Sequence, residues 1–382
     1  MQKIKVMTVF GTRPEAIKMA PLVKELEKRE EIESIVCVTA QHRQMLDQVL
    51  ERFDIVPRYD LDIMQQRQTL STITSKALTG LEGVMQEAAP DIVLVHGDTS
   101  TTFAGALAAF YCKIQVGHVE AGLRTYDKYS PYPEEMNRKL TTALTDLYFA
   151  PTKNNRDNLL KELVPEEKIY VTGNTVIDAV RHTVTDDYQF QTEALKGVDF
   201  SDGRVILLTA HRRENLGEPL VRILTAVRRM VEDHPDVKVI YPMHLNPAVR
   251  EPAMEILGGH DRILLIDPVD VEELHNLMSR CYFVMTDSGG LQEEAPSLGK
   301  PVLVLRSETE RPEAVYAGTV KIAGTEEDVI YNMAHQLLSD PAAYEEMSRA
   351  INPYGDGYAS RRIVDAILYA FGKTEEKPEE WL

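Results

Sequence analysis

Cysteine is scarce in this chain of 382 residues, which has only Cys37, Cys112 and Cys281. The number is odd, the spacings are wide and no Cys-x-x-Cys pair occurs, so neither a disulfide framework nor a structural zinc site is expected. We expect three small, buried hydrophobic side chains in a reducing cytoplasm.

Long hydrophobic runs are also missing. No apolar stretch approaches the roughly 18 residues that cross a bilayer. The first residues, Met1-Gln-Lys-Ile-Lys-Val6, lead directly into a strand-like segment. We therefore expect no signal peptide, a cytoplasmic location and no membrane partner.

Basic residues are in the minority, since 42 Lys and Arg against 60 Asp and Glu give a net charge of −18. This balance argues against nucleic acid as a partner, although a local basic pocket is compatible with it. Hydrophobic residues make up 43% and charged residues 27%, as in ordinary globular proteins. At about 150 residues per domain, the length predicts two domains.

Short β-branched runs alternate with stretches of helical period along most of the chain. Strands are expected at residues 3–10, 34–39, 91–96, 114–119, 147–150, 168–171, 205–209, 237–241, 263–266, 282–285 and 301–305. Helical stretches, among them 14–28 and 101–110, lie between them. This βαβα pattern predicts an α/β fold with parallel sheets covered on both faces.

The alternation weakens at 181–203, which we interpret as a linker. We therefore expect two doubly wound Rossmann-like domains, at 1–180 and 204–358, with an interdomain cleft. A terminal helix is expected from 359, followed within 359–382 by a charged, frayed tail. Doubly wound sheets bind ligands outside the carboxyl ends of their strands, so the residues that follow each strand are the candidates for a site.

The first strand leads into Gly11-Thr-Arg-Pro-Glu-Ala-Ile-Lys18. Arg13 and Lys18 would flank a helix N-terminus, where free N–H groups and the helix dipole favour an anion such as phosphate. A solvated basic pair on a loop is the alternative. The segment matches neither the Walker A pattern nor Gly-x-Gly-x-x-Gly.

Three acidic residues follow strands or open a helix nearby. Asp98 lies in His96-Gly-Asp-Thr, Glu120 in His118-Val-Glu-Ala-Gly, and Glu134 behind the prolines of Tyr129-Ser-Pro-Tyr-Pro-Glu. Converging carboxylates perturb one another's pKa and can transfer protons in both directions. The alternative is that these are ordinary acids at strand ends, with Glu134 complementing a helix dipole.

The second half has its own candidates. His211 follows a strand in Thr209-Ala-His-Arg-Arg-Glu-Asn, and His244 holds the equivalent place one strand later. Ser288-Gly-Gly290 follows another strand, and its small residues let main-chain N–H groups approach a diphosphate. Glu294 could accept both hydroxyls of a ribose, and Arg311 could contact an anion.

Taken together, these motifs are similar to those of the bacterial non-hydrolysing UDP-N-acetylglucosamine 2-epimerases. The resemblance runs from Val6 to about Tyr369 and is carried by Gly11-Thr-Arg-Pro-Glu, His96-Gly-Asp-Thr, His118-Val-Glu-Ala-Gly-Leu-Arg-Thr, Pro131-Tyr-Pro-Glu-Glu-Met-Asn-Arg, Thr172-Gly-Asn-Thr, Ala210-His-Arg-Arg-Glu-Asn and Asp287-Ser-Gly-Gly-Leu-Gln-Glu-Glu-Ala-Pro-Ser-Leu-Gly-Lys-Pro-Val.

The resemblance implies a two-domain fold of the glycosyltransferase-B type whose C-terminal helix crosses back to the first domain. It implies interconversion of UDP-GlcNAc and UDP-ManNAc by elimination of UDP, through 2-acetamidoglucal, and re-addition. It further implies a homodimer, no cofactor, no metal and a product that supplies cell-surface polysaccharides.

Residue roles also follow from the resemblance. Proton transfer is implied for Asp98, Glu120 and Glu134, and His211 is implied beside the nucleotide or leaving group, without an order of acid and base. UDP binding is implied for Arg13, Lys18, Ser288, Gly289, Gly290, Glu294 and Arg311. A second site, where UDP-GlcNAc acts as an allosteric activator, is implied for Gln41, Gln44, Arg67, Glu214 and His244.

Three other functions share parts of this pattern. A glycosyltransferase of the same fold would need an acceptor groove, often with a basic or apolar membrane-facing patch, and the net charge of −18 argues against one. A 2-epimerase of a modified UDP-sugar would carry nearly the same motifs. A non-catalytic nucleotide-sugar sensor would have no use for the three carboxylates.

Overall fold

A computed structural model describes residues 3–41, 43–65 and 68–381 of the chain. The chain divides into two compact units. Unit 1 comprises Met1–Ala179 and Tyr354–Leu382, and unit 2 comprises Val180–Pro353. Segment 181–203, which the sequence pattern predicts to be a linker, belongs to unit 2, and residues 354–358 belong to unit 1.

Unit 1 contains a sheet of seven parallel strands in the order β3-β2-β1-β4-β5-β6-β7. The strands are β1 (Ile4–Phe10), β2 (Ile32–Val38), β3 (Tyr59–Asp60), β4 (Ile92–His96), β5 (Gln115–Val119), β6 (Leu147–Ala150) and β7 (Ile169–Val171). The helices between them are α1 (Arg13–Glu27), α2 (Arg43–Arg52), α3 (Leu70–Ala88), α4 (Ser100–Tyr111), α5 (Glu134–Leu144) and α6 (Lys153–Lys161). Helix α7 (Thr175–Thr183) follows β7 and continues into unit 2.

Strand β1 shows why both faces of this sheet are covered. Val6 and Phe10 join a hydrophobic cluster with Met19 of α1. Met7, on the opposite face, joins a second cluster with Leu81 of α3. Alternate residues of a strand point to opposite faces, so a continuous apolar run supplies two cores.

Unit 2 repeats this plan with six parallel strands in the order β10-β9-β8-β11-β12-β13. The strands are β8 (Arg204–Thr209), β9 (Val237–Pro242), β10 (Ile263–Ile266), β11 (Phe283–Thr286), β12 (Val302–Val304) and β13 (Val320–Ile322). The helices are α8 (Glu193–Lys196), α9 (Glu218–Asp233), α10 (Pro247–Leu257), α11 (Val271–Arg280), α12 (Leu291–Ser297), α13 (Pro312–Tyr316), α14 (Glu327–Ser339) and α15 (Pro341–Ser348).

The segment before β8 is bound to α11. Glu273, a buried residue of α11, accepts hydrogen bonds from the main-chain N–H groups of Gln191 (2.5 Å) and Thr192 (2.8 Å). Asn276 of the same helix donates to Thr183 O at 2.8 Å. These buried polar contacts explain why a segment with little apolar periodicity is nevertheless ordered within unit 2.

The chain returns to unit 1 in α16 (Ala359–Ala370). Ile363 and Ile367 join the hydrophobic cluster of α1, and Arg29 lies 2.9 Å from Asp365. The charged tail that follows is bound rather than frayed, because the N–H of Trp381 donates to Val171 O at 2.8 Å.

The predicted α/β class is confirmed, and each predicted strand overlaps an observed one. The short strands β3 and β13 were not predicted. Cys37 and Cys281 are buried as expected, whereas Cys112 is partly exposed. Among the described residues, no helix is both long and apolar enough to cross a membrane.

Candidate active site

The strand orders place one crevice in each unit. In unit 1 the chain winds away from β1 in one direction and from β4 in the other. In unit 2 the same reversal occurs between β8 and β11. Ligands of doubly wound folds bind where the strand order reverses, outside the carboxyl ends of the strands. The loops after these four strands hold Asp98, His211, Glu214 and the turn Ser288-Gly289-Gly290, and Arg13 begins the helix after β1.

The loop after β1 is held by Glu15, a buried carboxylate in the first turn of α1. Its Oε2 accepts hydrogen bonds from the N–H groups of Gly11 (3.1 Å) and Thr12 (2.9 Å). Its Oε1 accepts one from Thr99 in the loop after β4, at 2.7 Å. Glu15 therefore ties together the two loops that border the crevice, and it occupies two of the N–H groups expected to be open to an anion. Arg13 is half-buried nearby.

Gly11 lies where those loops approach most closely. A Cβ at this position would lie 2.0 Å from Thr39 Oγ1 and 2.7 Å from Thr101 Oγ1, far inside van der Waals contact. The two threonine hydroxyls are themselves hydrogen bonded at 2.9 Å. Only glycine fits between β1 and this pair.

Glu120, after β5, is surrounded by donors. Its Oε2 pairs with Lys18 Nζ, lies 3.5 Å from His96 Nε2 and accepts a hydrogen bond from Asn174 at 3.1 Å. Burial raises the pKa of this carboxyl, but its electrostatic interactions and hydrogen bonds with Lys18 and His96 outweigh burial and leave the pKa well below its usual range. Glu120 is therefore ionised, and Lys18, expected at the nucleotide, contacts this carboxylate.

Asp98, after β4, is bound to α5. Its Oδ2 lies 2.6 Å from Arg138 Nη2, and its main-chain oxygen accepts from Asn137 Nδ2 at 2.8 Å. Arg138 also contacts the buried Glu135 at 3.2 Å. Glu120 lies beside the same loop, since a Cβ on Gly97 would be 3.9 Å from Glu120 Oε1.

Glu134 begins α5, the helix that holds Asp98. It is half-buried, and its Oε2 is buried without a hydrogen-bond partner among the described residues. The three acids expected to act together are thus joined by shared elements, but their surroundings differ. Asp98 has a guanidinium, Glu120 has an ammonium, and Glu134 has an oxygen left for another partner.

His118, at the end of β5, supports the loop of Asp98. The fully buried ring places Nε2 2.7 Å from Gly97 O. Burial lowers the pKa of this imidazole to about 3, so the ring is neutral and Nε2–H donates to the carbonyl.

In unit 2, Asp287 organises the loops after β8 and β11. This fully buried carboxylate accepts from the N–H groups of His211 and Arg212, each at 2.8 Å, and from Asn215 Nδ2 at 3.0 Å. His211 is thereby fixed by its main chain, while its ring is exposed and stacks on His244 with centroids 5.4 Å apart.

Two arginines converge on the glycine turn after β11. A Cβ on Gly289 would lie 3.7 Å from Arg212 Nη2 and 3.8 Å from Arg311 Nη2. Arg311 is held in place by its ion pair with the buried Glu293. A ligand can approach the main chain closely at Gly289, which has no side chain, and two guanidinium groups suit a phosphate-like anion. Ser288, Gly290 and Glu294 belong to the same turn and to the start of α12.

The residues expected at a second nucleotide-sugar site are only partly described. Gln41 accepts from Thr101 Oγ1 at 3.4 Å, and Glu214 pairs with Arg306 at 2.9 Å. The side chain of Gln44 and the whole of Arg67 lie outside the described residues. Within the described parts of the chain, no cluster of three or more His, Cys, Asp or Glu could hold a metal ion.

The family model for UDP-N-acetylglucosamine 2-epimerase matches residues 24–368. The chain belongs to the UDP-N-acetylglucosamine 2-epimerase family. It is 60% identical over 381 residues to the UDP-N-acetylglucosamine 2-epimerase of Bacillus subtilis (strain 168), covering 100% of this chain and 99% of that one. The prediction of an isomerase of this family is confirmed.

Two solved structures are also similar to this chain. S. aureus MnaA, solved with UDP, has a TM-score of 0.88 at 56% identity and covers 99% of this chain and 100% of its own. The Neisseria meningitidis UDP-GlcNAc 2-epimerase, bound to UDP-GlcNAc, has a TM-score of 0.85 at 51% identity and covers 96% and 100%.

Four residues that shape this epimerase site were not singled out from the sequence. Glu15 could have been found, because Thr12-x-x-Glu15 has the spacing of a capping box. Arg138 and Asp287 are ordinary charged residues until a fold pairs them. His275 of α11, which lies 3.3 Å from Glu294, belongs to no recognised motif.

Proposed function

We propose that this protein catalyses the reversible C2 epimerisation of UDP-N-acetylglucosamine to UDP-N-acetylmannosamine. The observation that carries the proposal is the group of three carboxylates after β4, after β5 and at the start of α5, each in a different electrostatic setting. The names of the B. subtilis and N. meningitidis relatives support the choice of substrate.

The chemistry explains why such a group is needed. The C2 proton of a sugar is weakly acidic, because C1 carries no carbonyl to stabilise a carbanion. In the proposed reaction a carboxylate takes this proton, the C1–O bond to UDP breaks, and the electron pair of the C2–H bond forms the C1=C2 double bond of 2-acetamidoglucal. Re-addition of UDP to C1 and delivery of a proton to the other face of C2 complete the epimerisation.

The acids differ in what they can contribute to these steps. Glu120 has a lowered pKa, so it is a carboxylate that stabilises positive charge and orients Lys18 rather than a proton donor at neutral pH. Glu134 has an oxygen that no donor among the described residues contacts, which suits proton exchange with C2. Asp98, paired with Arg138, is proposed as its partner on the other side of the sugar.

Unit 2 supplies the site for UDP in this proposal. The turn Ser288-Gly289-Gly290 and the converging arginines, Arg212 and Arg311, bind the diphosphate, and Glu294 accepts the ribose hydroxyls. We expect stabilisation of the charge on departing UDP to be the largest single contribution to lowering the barrier to elimination. His211, with its exposed ring and fixed main chain, is proposed beside the leaving group.

The proposed reaction is redox-neutral. One proton and one UDP leave the sugar, and one of each returns, so no electrons remain for a nicotinamide cofactor to carry. A metal ion is not required either, because arginines can neutralise the diphosphate.

Regulation and assembly are proposed on the family resemblance. UDP-GlcNAc would activate the enzyme at a second site formed by Gln41, Gln44, Arg67, Glu214 and His244, the enzyme would be a homodimer, and the product would supply cell-surface polysaccharides. Gln44→Ala or Arg67→Ala should flatten the activation by UDP-GlcNAc more than it lowers kcat. Unchanged activation curves would contradict the second site.

Proton NMR of the purified protein with UDP-GlcNAc in D2O, without added NAD or metal, tests the reaction. New UDP-ManNAc signals with deuterium at C2 are expected. UDP binding without product or exchange would contradict the proposal and favour a modified UDP-sugar or an acceptor-dependent transferase.

A further inference from the structure

A buried histidine of unit 2 lies outside every motif discussed above. His275 belongs to α11 and has no exposed surface. Both nitrogens of a buried imidazole need partners, because an unpaired polar atom in the interior costs free energy. The two nitrogens of His275 face different elements, and one of these elements carries Glu294.

The first nitrogen faces the end of α7. Nδ1 lies 2.6 Å from Thr183 Oγ1, and the same hydroxyl lies 3.2 Å from Val180 O. A hydroxyl carries one proton. When Thr183 directs it to His275, Nδ1 accepts the hydroxyl proton, and the ring carries its own proton on Nε2.

The second nitrogen faces the nucleotide side. Nε2 lies 3.3 Å from Glu294 Oε2, within ion-pair distance. Among the described residues Nε2 has no aligned hydrogen-bond partner. A small rotation of the Glu294 carboxylate would let Oε2 accept the proton of Nε2.

The other oxygen of Glu294 points elsewhere. Oε1 lies 3.1 Å from the position that a Cβ on Gly290 would take, at the corner of the glycine turn. The carboxylate therefore has one oxygen directed to the buried ring and one directed to the turn that would hold UDP.

We propose that His275 is a positioning residue for nucleotide binding. It holds Oε2 of Glu294 and thereby presents Oε1 to the ribose hydroxyls of UDP. The inference rests on the proposed function, in which Glu294 binds the ribose. In this role His275 acts on the nucleotide only through Glu294. The effect of His275 on nucleotide affinity should therefore disappear when the nucleotide lacks ribose hydroxyls.

The test compares UDP with 2′,3′-dideoxyuridine 5′-diphosphate by calorimetry. His275→Gln should weaken UDP binding about tenfold, the scale of a hydrogen bond to a charged group, and leave the affinity for the dideoxy nucleotide within about twofold. Glu294→Gln should show the same selectivity. The double variant should be no worse than Glu294→Gln alone, because both substitutions remove one interaction.

Variants of Thr183 provide the matched control. Thr183→Ser keeps the hydroxyl and should bind UDP normally. Thr183→Val removes the hydroxyl and should weaken the binding of UDP more than that of the dideoxy nucleotide. This pair also carries the test if His275→Gln does not fold.

The outcomes separate the inference from the function on which it rests. Equal losses for both nucleotides, or no loss, in His275→Gln and Thr183→Val would overturn the positioning role while Glu294→Gln still discriminates. If Glu294→Gln does not discriminate either, the proposed ribose contact is wrong and the role of His275 is overturned with it.

Discussion

The three acids of unit 1 differ in their partners, so their substitution should affect turnover for different reasons. Asp98 has Arg138, Glu120 has Lys18, and one oxygen of Glu134 has no donor among the described residues. A carboxamide keeps the shape of each side chain and removes its charge. It therefore tests what the charge of each acid contributes to turnover, with little change in packing.

Asp98→Asn and Glu134→Gln should each lower kcat by roughly 10²-fold or more, the scale of general acid–base effects. Glu120→Gln should lower kcat because it removes the negative charge paired with Lys18. UDP binding should remain largely intact in all three variants. Turnover by NMR and UDP binding by calorimetry provide the comparison. Glu193→Gln, at a largely exposed side chain, is the control. Near-normal turnover in all three variants would contradict the assignment.

His118 should make the stability of the protein depend on pH. Its folded pKa of about 3 lies below the value of 6.5 for a free imidazole, so the unfolded chain binds a proton that the folded chain does not. This stabilisation is complete above about pH 6.5 and is lost as the pH falls toward 3. Between pH 7 and about pH 5 the loss is about 2 kcal/mol.

Urea unfolding of the native protein and of His118→Gln at both pH values measures this effect. The difference in unfolding free energy between the two proteins should shrink by about 2 kcal/mol at the lower pH. A difference that is independent of pH would mean that the ring titrates normally in the folded state.

The candidate catalytic and binding residues could be recognised from the sequence. The residues that contact and orient them could not. Asp98, Glu120 and Gly289 follow strands, and position alone marks them as candidates. Arg138 becomes informative only when α5 brings it 2.6 Å from Asp98, across 40 positions of sequence. Pairings of this kind depend on tertiary structure, which spacing does not encode.

At the scale of elements, the loop after β1 leaves no room for a side chain at Gly11. Gly11→Ala should lower the free energy of unfolding by about 2 kcal/mol, because its methyl group would overlap Thr39 Oγ1. Gly83→Ala, on an exposed turn of α3 with nothing within 4 Å, should be neutral or stabilising by up to about 1 kcal/mol. Denaturant titration compares the two.

The double variant Gly11→Ala with Thr39→Ala checks the mechanism. Removing the hydroxyl opens space for the methyl group, so the two substitutions together should cost less than their sum. Strict additivity would show that the close approach is not the cause.

Element prediction worked where hydrophobic periodicity was strong and failed where strands were very short. Strand β3 has two residues, one of them exposed, and β13 has three, of which only Val320 is buried. Such edge strands lack an apolar run and form because a neighbouring strand offers unpaired main-chain groups. Segment 181–203, predicted to be a linker, is grouped with unit 2, where buried carboxylate and amide groups of α11 bind residues 183, 191 and 192.

At the scale of the whole molecule, the last residues contribute to unit 1. Deleting 374–382 removes the main-chain bond from Trp381 to Val171 and the contact of its ring with Arg362, whose guanidinium carbon lies 5.5 Å from the ring centroid. The loss should be about 1–2 kcal/mol, or roughly 2–6 °C in Tm. Lys377→Gln, at an exposed position, is the control. An unchanged Tm in the truncated protein would mean that the tail contributes nothing.

The two units share one strand order over six strands, and their candidate residues follow corresponding strands. This much of the whole could be predicted, because the βαβα alternation restarts after residue 203. The exact boundaries could not, since α7 continues across Ala179 without a break in its helical pattern.

Helix α12 is connected to both sequence ends of unit 2. The N-terminal end of unit 2 contacts this helix through Thr183, His275 and Glu294. The C-terminal end contacts it through Asn352, whose side chain donates to Glu293 O at 2.9 Å. A nucleotide that immobilises α12 would therefore reduce backbone fluctuations at both ends of unit 2, although these ends are about 170 residues apart in sequence. Amide hydrogen–deuterium exchange would report this as slower labelling near residues 183 and 352 when UDP is bound.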